Sequence, residues 1–244
     1  MIRFENTEVY GWEAAVRGMR NPMNSWDKSD SEYKYRCPES TQVWCNHCGY
    51  DMCNPYMSDP EFIIGDNDRK LMLQLIKAGS DHAKFLRYID VTVDITAPMY
   101  WWKEMDTYKV GTVRNSCSTM HKVLSKEFQL CDFSTDHLSD ESLIRLQDII
   151  GWLNDCRSHY LNLPSSAIEE KKQTWWQVIQ LLPSSYNQMA TMHLNYEVIR
   201  RMWFSRCKNP HKLDEWRIGF NGWVRMLPYS ELITDYSPVV TDKD

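Results

Sequence analysis

The sequence has no apolar run approaching the ~20 consecutive residues that a bilayer-spanning helix requires, which excludes a helical membrane span. Its N-terminus, MIRFENTEVYGWEAAVRG, carries Arg3, Glu5 and Glu8 where an export signal would place an apolar core, so the expectation is a soluble, cytoplasmic protein without a membrane partner. There is no basic tail or basic run to relieve a formal net charge of -5. A general nucleic-acid-binding role is therefore not favoured, and any anionic ligand must be met by cations placed locally. Internal repeats and low-complexity segments are also missing, which argues against a solenoid or array. Eight cysteines occur without the export context of a disulfide framework, and Cys117, Cys131, Cys156 and Cys207 are scattered singly, as reduced thiols are.

What is present is material for a core. Apolar residues make up 43% and aromatics 13% of the 244 residues, enough for one large domain. TEVYGWEAAVRGMRN places Trp12, Val16 and Met19 at helical spacing, followed by a turn-rich NPMNSWDKSD in which Arg17, Arg20, Asn21 and Ser25 read as a solvated turn or a ligand-facing loop. DNDRKLMLQLIKAGS predicts a helix capped at Asp66 or Asp68 and stopped by Gly79. KFLRYIDVTVDIT, from Phe85 to Ile95, predicts a strand with one buried face, and Pro98 opens a short MYWWKEM helix. Ser139 caps a helix with Leu143, Leu146, Ile150 and Leu153 on one stripe. A capping box at Ser166–Glu169 starts another helix that ends before Pro183.

Residues 29–60 have little periodicity and read as an insertion. They hold Cys37, Cys45, Cys48 and Cys53, with His47 inside a CxxC. Four thiolates in so short a polar span could form a tetrahedral structural zinc site. The second CxxC of a zinc ribbon is missing, and the alternative is a set of reduced cysteines.

SSYNQMATMHLNYEVIRRMWFSRCKN reads as one long, mostly apolar helix bearing Met189, Met192, Tyr196, Ile199 and Trp203. At ~100° per residue, Gln188, Asn195 and Arg206 fall within about 20° of one line along it. A polar line on an apolar helix must be satisfied, either by hydrogen bonds at a helix crossing or by an anion clamped by Arg206. The stretch DTYKVGTVRNSCSTMHK, Asp106–Lys122, is unusually dense in hydroxyls, amides and cations for a connecting loop. Its Ser, Thr and Asn side chains, with Lys109 and Arg114, suit phosphate oxygens.

These segments, in this order, resemble the flavin-dependent thymidylate synthases. The resemblance runs from about Asp66 to Leu232: Asp81-His82 before a strand, Ala97-Pro98 turning into a helix, the polar stretch beginning at Lys103, LLPSSYNQM from Leu181, Asn195 eleven residues before Arg206, and Glu215 in a closing helix. The family's Arg-His-Arg core is replaced by Thr107, Tyr108 and Lys109, and its substrate-reading Gln by Glu104; Asn115 and Ser118 match with one residue inserted.

The resemblance implies a single α+β domain over 1–244, with a twisted, mainly antiparallel sheet flanked by long helices and a Cys-rich insertion at 29–60. It further implies a homotetramer with shared sites, FAD as cofactor, and reductive methylation of dUMP or a related pyrimidine deoxynucleotide using methylene-tetrahydrofolate and NADPH. By carry-over, His82, Lys109, Asn115 and Asn195 would contact flavin, and Ser118 and Arg206 the nucleotide, with Arg206 and Glu104 serving the chemistry; Gln188, on the polar line with Arg206, would join the nucleotide contacts. The other possibility is a nucleotide-binding protein on the same scaffold that has lost flavin chemistry.

Overall fold

The computed structural model describes residues 2–34, 60–208 and 211–235; the four clustered cysteines of the insertion lie outside them. Along the chain the elements run β1 (Arg3–Tyr10), α1 (Trp12–Arg20), β2 (Glu32–Lys34), β3 (Glu61–Ile63), α2 (Asp66–Ala78), β4 (Asp90–Pro98), α3 (Met99–Met105), β5 (Val113–Ser116), α4 (Thr119–Lys122), α5 (Asp140–Asn162), α6 (Ile168–Leu181), β6 (Asn187–Asn195), α7 (Tyr196–Trp203), α8 (Asn221–Met226) and α9 (Glu231–Thr234). They group into two compact units. One comprises Met1–Glu8, Val91–Leu194 and Met202–Met226, the other Val9–Asp90, Asn195–Arg201 and Leu227–Asp244. No helix among the described residues is long and apolar enough to cross a membrane.

Alternation builds the sheet of the first unit. In β4, Val91, Val93, Ile95 and Ala97 are fully buried while the residues between them are half-buried, the period-two pattern of a strand packed on one face. β6 does the same with Ala190, Met192 and Leu194. The strand order is β1-β4-β6-β5, and β5 pairs antiparallel with β6, Val113 opposite His193 and Ser116 opposite Ala190.

Two expectations change here. The predicted long helix is a strand over its first part, then α7, then a π-helical turn at Phe204–Lys208. Gln188, Asn195 and Arg206 therefore do not share a helix face. The predicted strand begins at Asp90 instead of Phe85, because adjacent Phe85 and Leu86 are both buried, which a 3-10 turn at Lys84–Tyr88 allows and alternation does not.

The α5–α6 pair forms its own apolar seam in this unit. Leu146, Ile150, Leu153 and Val178 pack with Val123, Leu124, Phe128 and Phe133, each large side chain contributing about 1.5–3 kcal/mol on burial. Ser139 Oγ accepts from Ser142 N at 3.3 Å, the predicted N-cap. α6 lacks its predicted capping box: it starts at Ile168 after Ala167, and Glu169 and Glu170 face the positive helix end instead.

In the second unit, β2 pairs antiparallel with β3, Tyr33 opposite Phe62. Gly11 sits at φ 92°, and a Cβ there would lie 1.9 Å from the Tyr88 carbonyl oxygen, so the start of α1 requires glycine. The predicted caps Asp66 and Asp68 both fall inside α2; the Asp30 carboxylate caps it instead, accepting from Asn67 N at 2.9 Å and Asp68 N at 3.1 Å. Asp68 is fully buried and accepts from Arg20 Nε, Ser29 Oγ and Ser31 Oγ, each at 2.6 Å. Arg20 is buried as well and also donates to the carbonyls of Ser25 and Lys28. It belongs to the core of this unit and not to a ligand-facing turn.

Candidate functional site

The polar stretch that follows α3 uses several of its donors on itself. Thr107 Oγ1 donates to Glu104 O at 2.7 Å and Thr112 Oγ1 to Tyr108 O at 2.5 Å, while Gly111 turns the chain at φ 77°. Arg114 in β5 donates from Nη1 to both oxygens of Asp106 at 2.8 Å and from Nη2 to Gln188 Oε1 at 2.6 Å, and its guanidinium lies 3.9 Å over the Trp102 ring. Gln188 Nε2 in turn donates to Cys117 O at 2.7 Å. Both ends of the Gln188 amide are thereby assigned: oxygen toward Arg114, nitrogen toward Cys117. One N–H and one lone pair stay available.

Gln188 and Ser118 line the same pocket in the first unit, a cavity of ≈ 350 Å³, within the size range of small-molecule sites. Arg3 enters it from β1, Thr96 from β4, Lys122 from α4, and Lys126, Asp132 and Tyr186 from the connecting segments. Asp132, its one carboxylate, is held by Lys126 Nζ at 2.6 Å and by Gln129 N at 3.0 Å. Burial raises the Tyr186 phenol above its ordinary pKa against the pull of Lys126, so it stays a hydrogen-bond donor. The floor is tied by main-chain bonds, with Met99 N on Tyr186 O and Tyr100 N on Ser184 O.

Arg206 does not line this pocket. Its guanidinium is engaged by Glu104 Oε2 at 3.1 Å and Tyr108 Oη at 3.0 Å. The same carboxylate oxygen accepts from Trp216 Nε1 at 2.9 Å and lies 3.3 Å from His211 Nε2. Leu213 N donates to His211 Nδ1 at 3.1 Å, which puts the ring proton on Nε2. That nitrogen then donates to Glu104 and cannot accept from Arg206 Nη1, which lies 3.1 Å away. Arg206, expected to clamp an anion, is thus paired with Glu104 through Nη1 and with Tyr108 through Nε. Arg206 lies within the π-helical turn Phe204–Lys208, and Trp216 belongs to a second one, Glu215–Phe220. At the second, Tyr100 Oη donates to Glu215, and burial together with that carboxylate keeps the phenol protonated well above its usual range.

The remaining predicted residues are dispersed. Lys109 and Asn115 are exposed in the first unit. His82 is exposed in the second unit, in the turn where His82 N bonds Gly79 O. Asn195, also assigned to the second unit, accepts from Val198 N at 3.0 Å through its side-chain oxygen and so caps α7. Among the described residues no group of three or more His, Cys, Asp or Glu is arranged to hold a metal. Sequence reasoning missed Arg3, Lys126 and Tyr186, which the tertiary fold brings to the pocket, and did not single out Lys122 within the polar stretch. It also missed Tyr108 as a partner of Arg206.

Two solved structures of thymidylate synthase X (ThyX) from Helicobacter pylori, both described as complexes with FAD and dUMP, match 96% of this chain. One does so at TM-score 0.58 and 14% identity over 97% of its own length, the other at 0.57 and 13% over 98%. The fold is that of the flavin-dependent thymidylate synthases. No family model and no curated protein sequence matches. Tyr108 and Glu104 engage Nε and Nη1 of the Arg206 guanidinium. In the first unit the side chains of Lys109 and Asn115 make no hydrogen bond to another described residue, and in the second the Asn195 side-chain oxygen already serves as a helix cap.

Proposed function

We propose that the chain is a divergent flavin-dependent thymidylate synthase-like enzyme that binds a pyrimidine deoxynucleotide, dUMP or a close relative, in the pocket lined by Ser118 and Gln188. The observation that carries this reading is the placement of those two residues in one cavity on a synthase fold that spans 96% of the chain. The free N–H and lone pair of Gln188 match the O4 acceptor and N3–H donor of a uracil edge. Because Arg114 and Cys117 fix the amide, recognition requires no reorientation of the side chain. FAD, contacted by Lys109 and Asn115 of the first unit, would supply the hydride for reductive methylation, with NADPH as reductant and methylene-tetrahydrofolate as one-carbon donor. The active form would be a homotetramer.

A second reading is favoured by one specific contact. With Glu104 closing Arg206, the scaffold also suits a protein that binds the nucleotide without flavin chemistry. The two readings separate in one experiment, in which purified protein is incubated with FAD and desalted, and NADPH oxidation is followed with and without dUMP and methylene-tetrahydrofolate. Retained flavin absorbance and nucleotide-dependent oxidation are expected. Nucleotide binding by calorimetry in a colourless, inactive protein would favour the second reading.

A further inference from the structure

We infer that the phosphate of the bound nucleotide is taken by Arg3 and Lys122, and not by Arg206. This assignment rests on the pocket reading above and names the anion subsite within it. Three cationic side chains and one carboxylate line the cavity. The carboxylate, Asp132, is matched by Lys126 at 2.6 Å, which leaves Arg3 and Lys122 with no ion pair to a described residue. In a chain of net charge -5, two unmatched cations in one cavity mark a local positive site.

The geometry of supply is also suitable. Arg3 comes from an edge strand and Lys122 from the end of α4, so the two cations reach the cavity from different elements, and Ser118 and Thr119 add hydroxyls between them in sequence. The Tyr186 phenol, kept protonated, adds a further donor. A phosphate monoester dianion is the class of ligand whose charge and acceptor count such a set satisfies. Arg114 of the polar stretch and Arg206 of the Phe204–Lys208 turn are engaged elsewhere: Arg114 by Asp106 and Gln188, Arg206 by Glu104 and Tyr108.

Calorimetric titration of dUMP, deoxyuridine and inorganic phosphate into wild-type protein and into R3Q, K122Q and the double variant tests the assignment. Both positions are solvent-exposed, so the variants fold, and circular dichroism checks that they do. Each single variant is expected to weaken dUMP roughly tenfold and the double variant roughly a hundredfold, while deoxyuridine binding stays unchanged. The salt dependence of dUMP affinity is expected to flatten in the double variant, and R3K should recover part of the loss. Unchanged dUMP affinity in the double variant would overturn the assignment and leave the pocket reading intact. Binding of inorganic phosphate that depends on Arg3 and Lys122, with no binding of dUMP, would uphold the subsite and overturn the pyrimidine reading. Binding of neither would overturn both.

Discussion

Asp68→Asn should destabilise the protein by at least about 3 kcal/mol, because the structure leaves the new amide no acceptable orientation. Asp68 Oδ1 accepts from Arg20 Nε at 2.6 Å, while Oδ2 accepts from the hydroxyls of Ser29 and Ser31 at 2.6 Å and from the backbone N–H groups of Asp30 and Ser31 at 3.2 Å. An amide nitrogen at the first position faces a guanidinium; at the second it faces two main-chain donors. Either way a buried donor loses its acceptor, and Arg20, itself buried, loses its counter-charge. With a slope of roughly 2–3 kcal/mol/M, the urea midpoint should fall by about 1 M.

The pH dependence supplies a second readout. Burial tends to raise the Asp68 carboxyl, but hydrogen bonds from Ser29, Ser31 and Arg20 outweigh it and hold the group below its usual range. Its folded value is therefore the lower one, so its contribution is complete above the unfolded value of about 3.9 and is lost as pH falls through the folded value. The gap between wild type and variant should narrow below about pH 4. A urea midpoint within 0.3 M of wild type, or a gap that does not change with acid, would refute the reasoning. Replacing both partners by apolar residues, R20M/D68L, should not recover the loss, because Ser29, Ser31 and the Asp30 and Ser31 N–H groups still lose their acceptor.

Glu104→Gln removes the counter-charge of Arg206 from a half-buried pair and weakens the acceptor shared with Trp216 and His211; a loss of about 1–2 kcal/mol is expected in the same urea assay. Leu153→Ala opens a cavity in the fully buried α5–α6 seam, and about 2–5 kcal/mol should be lost by thermal or chemical unfolding. Burial pushes the Cys207 thiol up to about 12, so it should react far more slowly with a disulfide reagent at pH 8 than the exposed Cys117 and Cys131, as peptide mapping of the modified protein would show.

Where one periodicity ran uninterrupted, the fold was legible in the sequence. Val91, Val93 and Ile95 announce β4, and Ser139 with Leu146, Ile150 and Leu153 announces α5. The error at 187–203 came from a strand joined directly to a helix. Met189, Met192, Tyr196 and Ile199 sit at helical spacing by coincidence, although Ala190, Met192 and Leu194 carry the strand period and Asn195 is the cap between the two. The signal available was that Asn followed two residues later by Glu197, a helix-start signature inside an apparently continuous apolar run. The site was legible only in part. Ser118 and Lys122 lie in the polar stretch the sequence singled out, and Gln188 could be named from a helical line that is a strand in the structure, while Arg3 reaches the same cavity through tertiary folding from a position with no local pattern. Nor could the sequence say that Glu104 would close Arg206, since partner choice between side chains about a hundred residues apart depends on how α3 and the π-helical turns meet.

The anchored amide of Gln188 has a consequence for the pocket it lines. Arg114 fixes which end of that amide is oxygen, and it does so from behind, with Asp106 and the Trp102 ring holding it in place. Loss of the guanidinium would leave the Cys117 carbonyl, 2.7 Å from Nε2, as the single remaining anchor of the two described. The polarity that the amide shows to the cavity is therefore held partly by a side chain outside the cavity's lining.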